Sequence, residues 1–379
     1  MYALDLKMNV PSLKVSFGNK QEIDTILDDL KECLETGMVS QGKYCDLLEE
    51  KVKEISGAKH AIAVNSGSSA IEAVMRNLNV EGKEVLVPTN TFLATASGVI
   101  FAGGKVKLMD VDPETFGVTL DEVKKRATKD TVGVIVVHIG GIVTPEIREI
   151  KNWCDENGIW LFEDAAHAIG CDYDGQQAGT FGIAGSYSLF ATKVINSGEG
   201  GVIVTNDDDI AAKVRLFCNH GKPEPWVTYH TAVGANYRMS DITGAIALSQ
   251  VNRLEKIIVR RQRIADKYTE LLLEKNSNLK IVQPKGKSNW YKYIIILPEG
   301  KNRDDIKTEM KKRGIGLQGE VYGIPLHRQP IAKQIGFIGE FPNADDVCSR
   351  HICLPLYPEL TDEQIHYVVD TLFDVMEEK

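Results

Sequence analysis

Hydrophobic positions along the chain follow two periods. Residues 21–35, QEIDTILDDLKECLE, put Ile23, Ile26, Leu27, Leu30 and Leu34 on one helical face, and Gly37 ends the pattern. A second helix is predicted from Tyr44 to Ile55, stopped at Ser56-Gly57. Short runs apolar on both faces then recur: Ala61–Val64, Glu84–Val87, Lys105–Asp110, Val132–His138, Ile159–Glu163, Ser186–Phe190 and Gly201–Thr205. Helical patterns separate most of them: Ser68–Leu78, Phe92–Phe101, Leu120–Arg126, Pro145–Glu156 and Asp207–Phe217. Strands apolar on both faces and separated by helices predict an α/β architecture, a mostly parallel seven-stranded sheet between helices. Ligands of such sheets bind beyond the carboxyl ends of the strands, so residues just after strands are the first candidates for function.

The texture then shifts. Residues 241–275 read as one long helical stretch, rich in Arg and Lys between Arg253 and Lys267, which predicts a solvated face. After Asn276-Ser277-Asn278 come a strand over Trp290–Leu297, a helix over Asp304–Arg313 and a final helix over Thr361–Met376. The pattern predicts a large domain over 1–254, including the N-terminal helical segment, and a smaller C-terminal α+β domain over 255–379.

Composition narrows the class. A chain of 379 residues exceeds one ordinary core, and 43% hydrophobic with 26% charged residues is a globular balance. Lys and Arg number 44 against 53 Asp and Glu, a net charge of −9, which argues against nucleic acid as a partner. Seven scattered cysteines with no C-x-x-C pair suggest reduced thiols, a cytoplasmic protein and no metal site. Met1–Pro11 lacks a signal-peptide pattern, and no stretch approaches the roughly 20 apolar residues of a membrane span.

Three constellations carry chemistry. Asn65-Ser66-Gly67-Ser68-Ser69-Ala70 follows a strand and opens a helix, where free N–H groups and small hydroxyls make a phosphate site or, more plainly, a capped turn. The strand Ile159–Glu163 runs into Asp164-Ala165-Ala166-His167. A carboxylate there can keep a pyridine nitrogen protonated, which turns pyridoxal 5′-phosphate (PLP) into an electron sink, and the alanines leave room for a flat ring. The alternatives are an aspartate helix cap and a packed histidine. Lys193 lies 29 residues after Asp164, between the strand carrying Ser188 and the turn Ser197-Gly198-Glu199-Gly200-Gly201. A lysine in apolar or cationic surroundings has a depressed pKa and attacks aldehydes. No P-loop, G-x-G-x-x-G, H-E-x-x-H or G-x-S-x-G competes with this reading.

Taken with further segments, these residues resemble the DegT/DnrJ/EryC1/StrS family of sugar aminotransferases. The resemblance covers nearly the whole chain: GMVSQG at 37–42, NSGSSA at 65–70, PTNTFLATA at 88–96, DAAHAIG at 164–170, SLFATKVINSGEGGVIVTND at 188–207, NYRMSDITGAIALSQ at 236–250, IPLHRQP at 324–330 and LPLYPELTDEQ at 354–364. It implies the type I PLP-dependent transferase fold, with PLP held as a Schiff base on Lys193. It further implies that Asp164 pairs with the pyridine nitrogen and that Phe92 stacks on the ring. Gly67, Ser68 and Ser188 would hold the phosphate, with His167 beside the ring oxygen or the phosphate. Asn236 or Arg238 would reach the neighbouring subunit of a homodimer with shared sites.

A lysine at 193, where one branch of the family has histidine and removes a sugar hydroxyl, implies transamination. The expected donor is L-glutamate, and the expected acceptor a keto sugar, usually nucleotide-linked. The product would be an amino sugar for lipopolysaccharide, another polysaccharide or an antibiotic. Trp226, Tyr229 and His230, in His220–Tyr237, and His327 are candidates for the sugar site; loop aromatics serve equally well as packing. Lys222 and the Arg260-Arg261 pair are candidate diphosphate contacts, against a solvated-face reading. A sugar dehydratase and a non-catalytic regulator of the same fold remain the alternatives.

Overall fold

The computed structural model describes residues 9–224, 226–275, 279–317 and 319–378, so the Asn276-Ser277-Asn278 break lies outside the described residues. Helix α1 (Lys20–Thr36) opens with a reciprocal cap: Asn19 accepts the Glu22 N–H and the Glu22 carboxylate accepts the Asn19 N–H. Gly37, at φ 72°, ends it, and α2 (Lys43–Ser56) follows. Alternation then begins with β1 (His60–Val64), α3 (Gly67–Met75), β2 (Glu84–Pro88), α4 (Leu93–Phe101), β3 (Lys105–Met109), α5 (Leu120–Arg126), β4 (Thr131–Val137), α6 (Ile147–Glu156) and β5 (Trp160–Asp164). A two-residue hairpin, β6 (Asp172–Tyr173) and β7 (Gln176–Gln177), precedes β8 (Ala184–Ser188), β9 (Gly201–Thr205) and α7 (Asp208–Cys218).

The seven long strands form one sheet in the order β1-β9-β8-β5-β4-β2-β3. Buried Val, Ile and Leu side chains point from both faces into two clusters beneath the flanking helices, as the two-sided apolar runs predict. Strand β9 is antiparallel to both neighbours. Residues 189–200 contain no helix to carry the chain across the sheet, so it turns back beside β8. The expected strand Ser186–Phe190 ends at Ser188. Leu189 N–H bonds to Gly200 O and Ala191 N–H to Gly198 O, which pulls the chain into a loop.

The stretch 241–275 is two helices, α8 (Asp241–Asn252) and α9 (Leu254–Glu274), broken at Arg253. Residues Leu254, Ile257 and Ile258 of α9 pack with the large sheet. Ile264, Ala265, Tyr268, Leu271 and Leu272 pack in a separate core. The expected division near residue 255 thus falls at the start of one helix that serves both cores. The second core lies on a three-stranded antiparallel sheet of β10 (Lys280–Ile281), β11 (Tyr293–Ile296) and β12 (His351–Leu354), with helices α10 (Arg303–Lys312), α11 (Pro342–Arg350) and α12 (Asp362–Glu378). Helix α11 and strand β12 are additions to the sequence reading.

Two readings of this region are corrected. The basic run is not simply solvated. Arg261 is buried, donating to the carbonyls of Asn289, Trp290 and Tyr291, and Arg260 donates to those of Pro358 and Leu360. Both guanidiniums are thereby occupied inside the chain rather than offered to a diphosphate. The strand expected over Trp290–Leu297 starts only at Tyr293, because Trp290 sits at φ 50°, outside strand geometry. No helix among the described residues is long and apolar enough to cross a membrane. All seven cysteines are buried and free.

Candidate active site

A cavity of about 560 Å³ opens where β1, β5 and β8 end and α3 begins. Its lining includes Gly67, Ser68, Phe92, Asp164, His167, Ser188 and Lys193. Seven residues from four separate segments of the chain therefore meet in one place. The turn after β1 enters it because Gly201, on neighbouring β9, carries no side chain: a Cβ there would stand 2.5 Å from the Ser66 carbonyl. Ser66 Oγ caps α3 by accepting the Ser69 N–H at 3.0 Å. The first amides of a helix have no partner within it, so those of Gly67 and Ser68 are suited to an anion. Ser188 Oγ accepts the Phe190 N–H at 3.3 Å.

Asp164 ends β5 with its carboxylate buried. Thr95, in α4, donates its hydroxyl to Oδ2 at 2.7 Å, and the Ala166 N–H donates to Oδ1 at 3.2 Å. Burial pushes the Asp164 pKa up, and these two donors, with Lys193 and His138, oppose that. Its neighbour Glu163 faces the other way. There it accepts from His138 and from the backbone N–H groups of Gly179, Phe181 and Gly182, anchoring the turn into β8.

Lys193 lies in the loop between β8 and β9, its Nζ 4.9 Å from the Tyr291 ring centroid. Burial lowers its pKa from 10.5 to about 8; Asp164 opposes the shift and Lys292 adds to it. His167 is held neutral, its pKa driven well below the usual value by burial and then by Lys193 and Lys292. Nδ1 accepts the Gly140 N–H at 3.3 Å, so the proton resides on Nε2, 3.3 Å from the Tyr322 hydroxyl oxygen. Phe92 caps the start of α4 with 60% of its surface exposed, its ring 6.3 Å from that of Tyr322.

Other expected residues stand outside this cavity of their own chain. Arg238 donates to Asn219 Oδ1 at 3.1 Å and bridges to Val64 at the end of β1, and Asn236 bridges to Asn219. Trp226 is 77% exposed, and Tyr229 also faces out; His230 Nδ1 donates to the His220 carbonyl at 2.7 Å. His327 is buried with both ring nitrogens engaged, by Thr89 at 2.7 Å and Asp345 at 3.0 Å. Conversely, Thr95, Tyr291, Lys292 and Tyr322 escaped the sequence reading. Thr95 lay inside a quoted segment, but Tyr291 and Lys292 sit where the pattern reads as an ordinary strand.

With this geometry in view, comparison with known proteins defines the class. The model of the DegT/DnrJ/EryC1/StrS aminotransferase family matches residues 20–373, and the chain belongs to that family. The chain is 34% identical to a pleiotropic regulatory protein of Geobacillus stearothermophilus, over 96% of this chain and 98% of that one. It is 33% identical to a GDP-perosamine synthase of Vibrio cholerae, over 90% of this chain and 94% of that one. Among solved structures it resembles NtdA of Bacillus subtilis with bound cofactor PMP, at a TM-score of 0.90 and 26% identity, covering 99% of this chain and 87% of that one. Aminotransferases of this family depend on PLP.

Proposed function

We propose that the chain moves an amino group from an amino acid, L-glutamate, to a keto sugar carried on a nucleotide. The observation that carries this reading is that Lys193 and Asp164 meet in one cavity roofed by the N-terminus of α3. The nucleotide-linked acceptor is supported by the Vibrio cholerae relative, whose name is GDP-perosamine synthase.

The residues present fit PLP. A lysine with its pKa near 8, a buried carboxylate with two donors, an exposed aromatic face and a capped helix start with two serine hydroxyls line one space. Lys193 would hold the aldehyde, Asp164 the pyridine nitrogen, and Gly67, Ser68 and Ser188 the phosphate, with Phe92 over the ring. When bound, PLP supplies an aldehyde for the donor amine and an electron-withdrawing ring that stabilises charge at the donor Cα. Lys193, about half neutral at pH 8, takes the proton from the donor Cα and later returns one to the acceptor carbon. Asp164 keeps the proton at the ring nitrogen in place, and Thr95 fixes the carboxylate that does so. Neutral His167 presents its Nε2–H toward Tyr322 and adds no charge of its own.

The unit of function in this reading is a cytoplasmic homodimer. Exposed Ile23, Leu27, Leu34, Met38 and Val39 offer it an apolar face. Asn236, Arg238, Trp226, Tyr229 and His230, off the lining of their own cavity, would then act at the partner's. The product would serve polysaccharide, lipopolysaccharide or antibiotic amino-sugar synthesis.

The test is the absorption spectrum of the PLP-loaded protein on adding L-glutamate. Loss of the cofactor's visible band with release of 2-oxoglutarate is expected, and it should return with the right keto sugar. A chromophore that ignores every amino donor would favour the regulatory role named for the Geobacillus relative. Release of water from the sugar without amine transfer would favour a dehydratase.

A further inference from the structure

A second lysine shares the Tyr291 ring with Lys193. Lys292 Nζ lies 5.1 Å from the ring centroid and lines the same cavity. Among the described residues nothing forms a hydrogen bond or ion pair with that ammonium. The nearby carboxylates are occupied elsewhere or remote from it: Glu320 pairs with Lys307, and Asp164 takes the Thr95 hydroxyl and the Ala166 N–H. Glu199, also on the lining, is exposed. A largely buried cation with no carboxylate bonded to it is costly, and burial depresses its pKa.

The surroundings hold it in place. Arg261 grips the three carbonyls that precede Lys292, with contacts of 2.6–3.1 Å. Asn289 donates to the carbonyls of His167 and Ile169, both at 2.9 Å, and accepts the Tyr291 N–H. The Lys292 N–H itself donates to Gly140 O at 3.1 Å. Beside the ammonium stands Gly319, at φ +87°, where a Cβ would come within 2.9 Å of Nζ. Glycine there leaves the space next to the charge open.

Among the described lining residues the ammonium groups are those of Lys193 and Lys292, and no arginine is present. With Lys193 committed to a cofactor, Lys292 is the remaining ammonium that this chain's own described residues place on that lining. Every α-amino acid brings a carboxylate into the cavity, and a desolvated carboxylate requires a cationic partner. We infer that Lys292 is the carboxylate anchor of this cavity, an inference that rests on the aminotransferase reading for its choice of substrates. The carboxylate comes either from the amino donor or from a uronate-type acceptor sugar.

The experiment uses the PLP-loaded protein, its Lys292→Met variant and its Lys292→Arg variant. Maleate, a dicarboxylate that cannot donate an amine, is titrated calorimetrically into each. The Met variant should bind it at least about tenfold more weakly, and the Arg variant should recover most of that loss. Half-saturation by L-glutamate in the first half-reaction identifies the source. If it rises about tenfold in the Met variant and falls back in the Arg variant, the donor's carboxylate is the one held. If it is unchanged while the variant loses a wild-type preference for UDP-glucuronate over UDP-glucose, the acceptor's is. Maleate, glutamate and UDP-glucuronate behaving alike in the wild type and the Met variant would overturn the inference. A protein inert to all amino donors, in which Lys292 still governs maleate binding, would instead sink the aminotransferase reading and leave the anchor standing.

Discussion

Lys193 should be a stability liability in the protein without cofactor, and replacing it with methionine should expose how large. Its pKa falls from 10.5 to about 8 on folding, chiefly through burial. Each pKa unit is worth about 1.4 kcal/mol, so keeping the protonated amine in place costs the folded chain about 3 kcal/mol at pH 7. Below pH 8 both folded and unfolded chains hold the proton, and the cost is complete. Between about 8 and 10.5 only the unfolded chain holds it, so stability rises with pH. Above 10.5 neither does, and the cost is gone. Lys193→Met keeps an unbranched side chain one atom shorter and removes the charge. In a chain of this size about 3 kcal/mol corresponds to roughly 4 °C in melting temperature. Calorimetric melting of cofactor-free wild type and variant from pH 7 to 10.5 should therefore show the variant ahead by that margin at pH 7. The gap should close as the pH passes through 8 to 10.5. A gap that is independent of pH, or a variant less stable at pH 7, would refute the burial argument.

Three other outcomes are expected. Thr95→Val removes a 2.7 Å hydrogen bond to the Asp164 carboxylate, worth about 1.5–3 kcal/mol. The Asp164 pKa then rises further, so the acid limb of the amine-transfer rate moves to higher pH; an unmoved limb would count against Thr95 as its support. Arg261→Leu strips the carbonyls of Asn289, Trp290 and Tyr291 of their shared donor, at a cost of about 3 kcal/mol or more. Melting should drop by several degrees, with partial recovery in Arg261→Lys, and unchanged melting would show the grip to be idle. Glu163→Gln turns an amide NH₂ against either the Phe181 and Gly182 N–H groups or the Gly179 N–H and should cost about 2–4 kcal/mol, read by denaturant titration. A loss below about 1 kcal/mol would mean the turn into β8 is held by something else.

Much of the protein was legible from local pattern alone. The seven buried strands and their helices follow from period and burial, because a strand covered on both faces must be apolar throughout. Asp164 and Lys193 stood out because Asp164 ends an apolar run ahead of two alanines and Lys193 follows one ahead of a glycine-rich turn. The direction of β9 was not legible, since a strand's residues look alike whichever way it runs. Nor was the break at Arg253, where two helices share one continuous amphipathic texture. The Arg260-Arg261 pair looked like a solvated surface; only packing against distant loops turned both guanidiniums onto backbone carbonyls. Tyr291 and Lys292 belong to a segment about 100 residues beyond Lys193, and nothing near them in sequence points to the cavity. What the sequence by itself determined is the chemistry carried at strand ends, where local pattern and position coincide. The tertiary structure alone decided which remote side chains close over it, because that depends on how α9 and the second sheet dock on the first.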